Sequence, residues 1–137
     1  MRSKDMEFVT KPNGTNRENA LKIEQTFSVS LPEEMIEWWV ESDGPTIFFG
    51  YKELQFFSID EIIGEDIYEL KKYMPKSIPI CMDGCGNICV AKINNGHISG
   101  FYIADCGDLE WDSAKLIAQN FRDFLNDKIA PEDRLRA

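Results

Sequence analysis

The sequence predicts an α+β fold in a single domain, with a central, mainly antiparallel β-sheet packed by helices. Three observations carry that expectation. Residues 78–105, IPICMDGCGNICVAKINNGHISGFYIAD, read as three strands joined by two glycine turns. Asp83-Gly84-Cys85-Gly86 puts glycines where the chain must reverse, and Asn95-Gly96 is a strong two-residue hairpin signal. Three capping-box patterns, Thr15…Glu18, Ser30…Glu33 and Ser58…Glu61, are each followed by apolar residues at helical spacing. Finally, 137 residues at 43% hydrophobic content suffice for one core that buries about two thirds of the unfolded surface.

In chain order, residues 1–14 read as a flexible lead with a short extended piece at 7–10. A helix is expected from Thr15, with Ala20, Ile23, Glu24 and Phe27 at helical spacing. A second spans 32–41, with Pro32 in the first turn, where a missing N–H does no harm. Met35, Ile36, Trp39 and Val40 form its apolar face, and Trp38 falls at the rim about 100° away. Ser42-Asp43-Gly44-Pro45 ends it, and strands follow at 46–51 and 54–57. A third helix runs over 59–73, weakened at Gly64 so that two pieces are an alternative, and stopped by Pro75. After the glycine-turn meander, Asp112 or Ser113 is expected to cap a last helix to Asn126, striped by Ile117, Phe121, Phe124 and Leu125. The domain therefore covers 15–127, and 128–137 read as a frayed polar tail.

The net charge of −9 argues against binding nucleic acid or an anionic membrane, and favours a basic partner or simple solubility. Residues 1–22 carry five bases and three acids, which leaves the remainder at −11. Two runs hold acids and no base. One contains Glu53, Asp60, Glu61, Glu65, Asp66 and Glu69; the other contains Asp105, Asp108, Glu110 and Asp112. Brought together, they would form one negative field. No apolar run reaches the roughly 18 residues of a membrane span. The start, MRSKDMEFVTK, has no apolar core of a signal peptide, so a cytoplasmic location with four reduced thiols is expected.

Single residues offer little chemistry. Cys81, Cys85 and Cys89 are spaced C-x3-C-x3-C with Cys106 beyond; zinc knuckles fit this poorly, and buried thiols fit it well. His97, the only histidine, follows a hairpin turn with no nucleophile in view. Asp83–Asn87 lacks the spaced oxygens of a calcium loop. No two of the 24 carboxylates are singled out as an acid–base pair. The expectation is no catalytic residue, no metal and no cofactor. The candidate contact surface is Asp105, Asp108, Glu110 and Trp111, with Asp43, Glu61, Glu65 and Asp66. These are acids in loops and helix starts, joined by an aromatic residue of the kind that anchors interfaces.

The order of motifs resembles a known family. A helix with Ile23-Glu24 runs into Leu31-Pro32, a short helix, an Asp43-Gly44 turn and two strands. An acidic helix, the Ile80…Asp83-Gly84…Gly86 turn, two strands ending at Asp105, and Phe121…Phe124-Leu125 complete it. Over about residues 15–127 the chain resembles the SUKH (Smi/Knr-like) superfamily, which includes yeast cell-wall-synthesis regulators and bacterial immunity proteins. Asp43-Gly44-Pro45 stands where relatives often carry an Asn-Gly-type turn. The resemblance implies a single α+β domain that binds proteins and does not catalyse. The immunity type implies a toxin partner, often a nuclease, which the acidic surface suggests is basic. The regulator type implies several partners. A small-ligand or metal-binding domain is a third alternative.

Overall fold

The computed structural model describes residues 6–137. Seven strands form one sheet in sequence order: β1 (Glu7–Thr10), β2 (Thr46–Phe49), β3 (Lys52–Phe56), β4 (Ser77–Met82), β5 (Asn87–Asn94), β6 (His97–Asp105) and β7 (Lys115–Ala118). Every neighbouring pair is antiparallel. The α+β fold expected from the sequence is the fold observed. The β5–β6 turn is a two-residue hairpin with Asn95 and Gly96 at φ 52° and 75°, the geometry that Asn-Gly favours.

The sheet has two different faces because successive side chains alternate. Ile47, Leu54, Phe56, Cys81, Cys89, Ala91, Phe101 and Ile103 share one face and build the main core. That core is covered by α1 (Arg17–Ala20), α2 (Lys22–Phe27), α3 (Glu33–Glu41), α4 (Ile59–Gly64) and α6 (Phe121–Asn126). Ile88, Val90 and Ala104 point the other way into a smaller core. This second face is covered by α5 (Leu70–Tyr73) and by the loop from Cys106 to Ala114.

The helix starts differ in detail from the expectation. Only the Ser58–Glu61 capping box closes in both directions. At the first start Asn16, not Thr15, is the cap, accepting from the Asn19 N–H at 2.7 Å. At the second start Ser30 does not cap; it bridges His97, Pro32 takes the cap position, and the Glu24 carboxylate accepts from the Leu31 N–H at 2.8 Å. The 59–73 segment breaks after Gly64: Glu65 is extended, and Tyr68 and Glu69 both lie in the left-handed region, which a continuous helix cannot contain. Tyr73, the last residue of that segment, is 47% exposed.

Four further expectations are corrected. Trp38 is not at a rim. It is 1% exposed, boxed by the rings of Phe8, Phe56 and Phe121, with its indole N–H unpartnered among the described residues, whereas Val40 faces solvent. The last helix does not begin at Asp112 or Ser113. Those residues make one 3-10 turn, and 115–118 become β7, which satisfies part of the β6 edge; Asn120 then caps α6 by accepting from the Asp123 N–H at 2.8 Å. The tail is not frayed. Pro131, at the first helical position, opens α7 (Pro131–Arg136), Leu135 packs on the core, and the Arg134 guanidinium forks onto Asp127 at 2.9 and 3.0 Å. The flexible lead of 1–14 fails over its described part. Residues 1–5 lie outside the described residues, but β1 is in the sheet, the Asp43 N–H donates to Asn13 O at 3.1 Å, and the Thr15 N–H donates to Trp39 O at 3.0 Å.

Gly14 shows how close that lead packs: a Cβ there would lie 1.7 Å from the Val40 carbonyl oxygen. Gly14→Ala is expected to cost about 1–3 kcal/mol, read as a lower urea midpoint. A second test concerns Lys52, which is 4% exposed with its ammonium donating to Phe124 O at 2.9 Å. Burial pushes its pKa below the ordinary lysine value, so the unfolded chain binds the proton more readily. Stability therefore rises with pH through the window between the folded and unfolded values. Wild type should gain on Lys52→Met as the pH is raised through the alkaline range; a constant difference would show that the ammonium carries no burial penalty.

Candidate functional site

The second face of the sheet carries the later part of the first acidic run and the segment of the second. After α4 the chain crosses that face as residues 65–73, and after β6 it returns over it as residues 106–114. Leu70, Met74, Ile67, Leu109 and Trp111 fasten both segments to Ile88, Val90 and Ala104. Their polar sides face solvent and border an open cleft of about 560 Å3, lined by Asp66, Tyr68, Glu69, Tyr73, Leu109 and the Cys106-Gly107 turn.

The local backbone sets this surface. Tyr68 and Glu69 sit at φ 50° and 54°, a costly conformation for side chains of their size. It turns Tyr68 outward, 50% exposed, with Tyr73 beside it. Next to the Cys106-Gly107 wall, the Asp105 carboxylate accepts from the Gly107 N–H at 2.8 Å, and the Asp108 N–H donates to Asp105 O at 2.9 Å. This turn holds Asp105 and Asp108 exposed. The Cys106 thiol beneath them is half-buried; burial and then the Asp105 charge raise its pKa, against a hydrogen bond from Tyr68.

The expected contact residues divide into groups. Asp66 lines the cleft, and Glu65 borders the adjoining slot together with Asp66. Asp105 and Asp108 flank the Cys106-Gly107 wall without lining the cleft, and border a second hollow instead, toward α7. Glu110 is exposed next to them and accepts from the Ser113 hydroxyl at 2.9 Å. Asp43 and Glu61 do not line the cleft. Asp43 accepts from the Ile59 N–H at 2.8 Å and Glu61 from the Ser58 N–H at 3.0 Å, so both fasten the start of α4. Trp111 lies under the surface as a strut: its indole donates to Pro75 O at 2.9 Å, the Lys92 ammonium lies 4.7 Å from its ring, and Tyr102 meets it edge-on.

Sequence reasoning did not single out Tyr68, Glu69 and Tyr73 for this site. Gly64 marks a point where the helix can break, but no pattern in the sequence announces the left-handed residues Tyr68 and Glu69 that turn these side chains outward. Cys81 and Cys89 face each other across β4 and β5, fully buried, and burial first raises the Cys81 pKa. Among the described residues no three His, Cys, Asp or Glu side chains converge on a metal-sized point, and no helix is long and apolar enough to cross a membrane. His97 is exposed at the hairpin.

A strut and a contact residue respond differently to truncation. Trp111→Ala is expected to lower the unfolding free energy by about 2 kcal/mol, since it loses a hydrogen bond, a cation–π contact and half-buried ring area. Denaturation of the isolated protein reads this directly, and an unchanged midpoint would return Trp111 to the exposed surface.

The cleft offers charge and aromatic surface. No curated protein matches the chain. The family profile described as the SMI1 / KNR4 family (SUKH-1) matches residues 14–127, which span α1 to α6 and leave β1 and α7 outside. With most of its length matched, the chain belongs to the SMI1/KNR4 (SUKH-1) family, and this membership supports a role as a protein-interaction domain.

Proposed function

We propose that this protein is a non-enzymatic immunity protein of the cytoplasm that binds a basic toxin domain and blocks it by occlusion. The observation that carries the reading is one open cleft edged by Asp66 and Glu69, with exposed Tyr68 and Tyr73, whose other wall is the Cys106-Gly107 turn between Asp105 and Asp108 of the second acidic run. Asp66, Glu69, Asp105 and Asp108 supply a field that attracts lysine and arginine side chains, and the two rings supply surface that desolvates them. Glu65 and Glu110 extend the field at the borders of the cleft. Asp43 and Glu61 contribute charge at a distance, with the start of α4 as their main task. Blocking needs no reaction: a nuclease whose basic groove is filled cannot take up a phosphate backbone. Four free thiols agree with a reducing compartment.

Tagged protein, used to capture partners from its native cell and eluted in a salt gradient, provides the test. One dominant basic protein, released only at high salt and losing an activity when bound, supports the immunity reading. Several partners released together would replace it with a regulatory scaffold. With the partner in hand, the triple variant Asp66→Lys, Glu69→Lys, Asp108→Lys should slow association at low salt by about tenfold or more and flatten its salt dependence. An on-rate equal to that of the wild type would remove the acidic cleft from the interface.

A further inference from the structure

A third hollow, on a different part of the surface, is lined by basic side chains. It lies where the end of α2, the start of β4 and the β5–β6 turn meet, and has a volume of about 380 Å3. Lys71, Lys76, Thr26, Ser28, Asn95 and Gly96 contribute to its lining, and among the described residues no carboxylate does. Among the described residues neither ammonium forms an ion pair. In a chain of net charge −9, two unpaired lysines beside hydroxyl and amide groups form a local reversal of sign.

The backbone around the hollow is strained and locked. Ser28, Lys76 and Asn95 lie at φ 53°, 63° and 52°, and all three border this hollow. Each costs on the order of 1 kcal/mol and persists because its surroundings hold it. The Ser30 N–H donates to Gly96 O and the Ile93 N–H to Lys76 O, both at 2.8 Å, which ties the walls to one another. Walls fixed before binding spare a ligand the cost of ordering them. Phe27 and Ile93 provide an apolar side to the same hollow.

We propose that this hollow binds the phosphate group of a small phosphate monoester, with Lys76 and Lys71 on the anion and Phe27 and Ile93 against its organic part. The hydroxyls of Thr26 and Ser28 and the Asn95 amide are suited to donate to phosphate oxygens. The overall negative charge does not forbid this. Exposed charges more than about 8 Å away are largely screened at physiological ionic strength, whereas the two ammoniums act at contact distance. Glu65 and Asp66 border the adjoining slot that Lys71 also lines, which places the anion on the Lys76 side. The hollow shares no lining residue with the acidic cleft, so this inference stands or falls apart from the toxin-binding reading.

The test is an NMR titration of the full chain with inorganic phosphate and with phenyl phosphate, at constant ionic strength set by sodium chloride. Saturable shifts at the Ser28, Asn95 and Gly96 amides are expected, with phenyl phosphate binding more tightly than phosphate. Lys76→Gly removes the ammonium and relieves the left-handed strain, so the variant keeps its fold; it should weaken binding about tenfold. Lys71→Gln should weaken it in the same direction. Shifts that do not saturate, that chloride reproduces, or that Lys76→Gly leaves unchanged would overturn the proposal.

Discussion

The ring of Phe121 packs against Trp38, Trp39, Phe101 and Phe124, with centroids 5.9, 6.4, 5.6 and 6.0 Å away. Those four residues belong to α3, β6 and α6, so one side chain near the C-terminal end joins α3 to β6. Aromatic pairs of this kind add to the large area each ring buries. The Trp39 indole then donates to Phe57 O at 2.9 Å and fixes α3 over the end of β3. Lys52 does the same for α6 by reaching the Phe124 carbonyl. Once this face is closed, the position of every strand is set, and with it the position of whatever rides on the opposite face.

That opposite face is where the protein differs from a simple helix-covered sheet. Its core is small, and its covering is two irregular segments rather than long helices. Irregular segments expose more of their side chains than packed helices do, and they tolerate changes of charge at little cost in stability. The division of labour is physical: one face holds the fold, and the other carries exposed carboxylates and tyrosines on irregular backbone. Trp111 belongs to both, since its ring anchors the 106–114 loop and thereby holds Asp105 and Asp108 in place.

The segments outside the family match extend the sheet and close its end. β1 adds an edge strand beside β2, and α7 packs near β5, β6 and β7. Gly50 at φ 63° lets the β2–β3 turn approach residue 128, where the Tyr51 N–H donates to Lys128 O at 3.1 Å. The chain leading to α7 is therefore held before α7 begins. The Arg134–Asp127 fork then holds the helix.

The sequence by itself determined the fold class, the Ser58 cap and the β4–β5–β6 meander, because turns and caps are local: Asn95-Gly96 and Ser58…Glu61 carry their geometry in adjacent residues. The order of motifs also identified the family. The burial of Trp38, the strand at 115–118 and the helix at 131–136 were decided by tertiary structure. Each depends on a distant partner: the rings of Phe8 and Phe56, the free edge of β6, and the Asp127 carboxylate. The site divides in the same way. Its charge was legible as two acidic runs, and Asp66, Asp105 and Asp108 were named from it. Tyr68, Glu69 and Tyr73 were not, because their outward direction comes from two left-handed residues that local preference opposes and only packing on the second face of the sheet sustains.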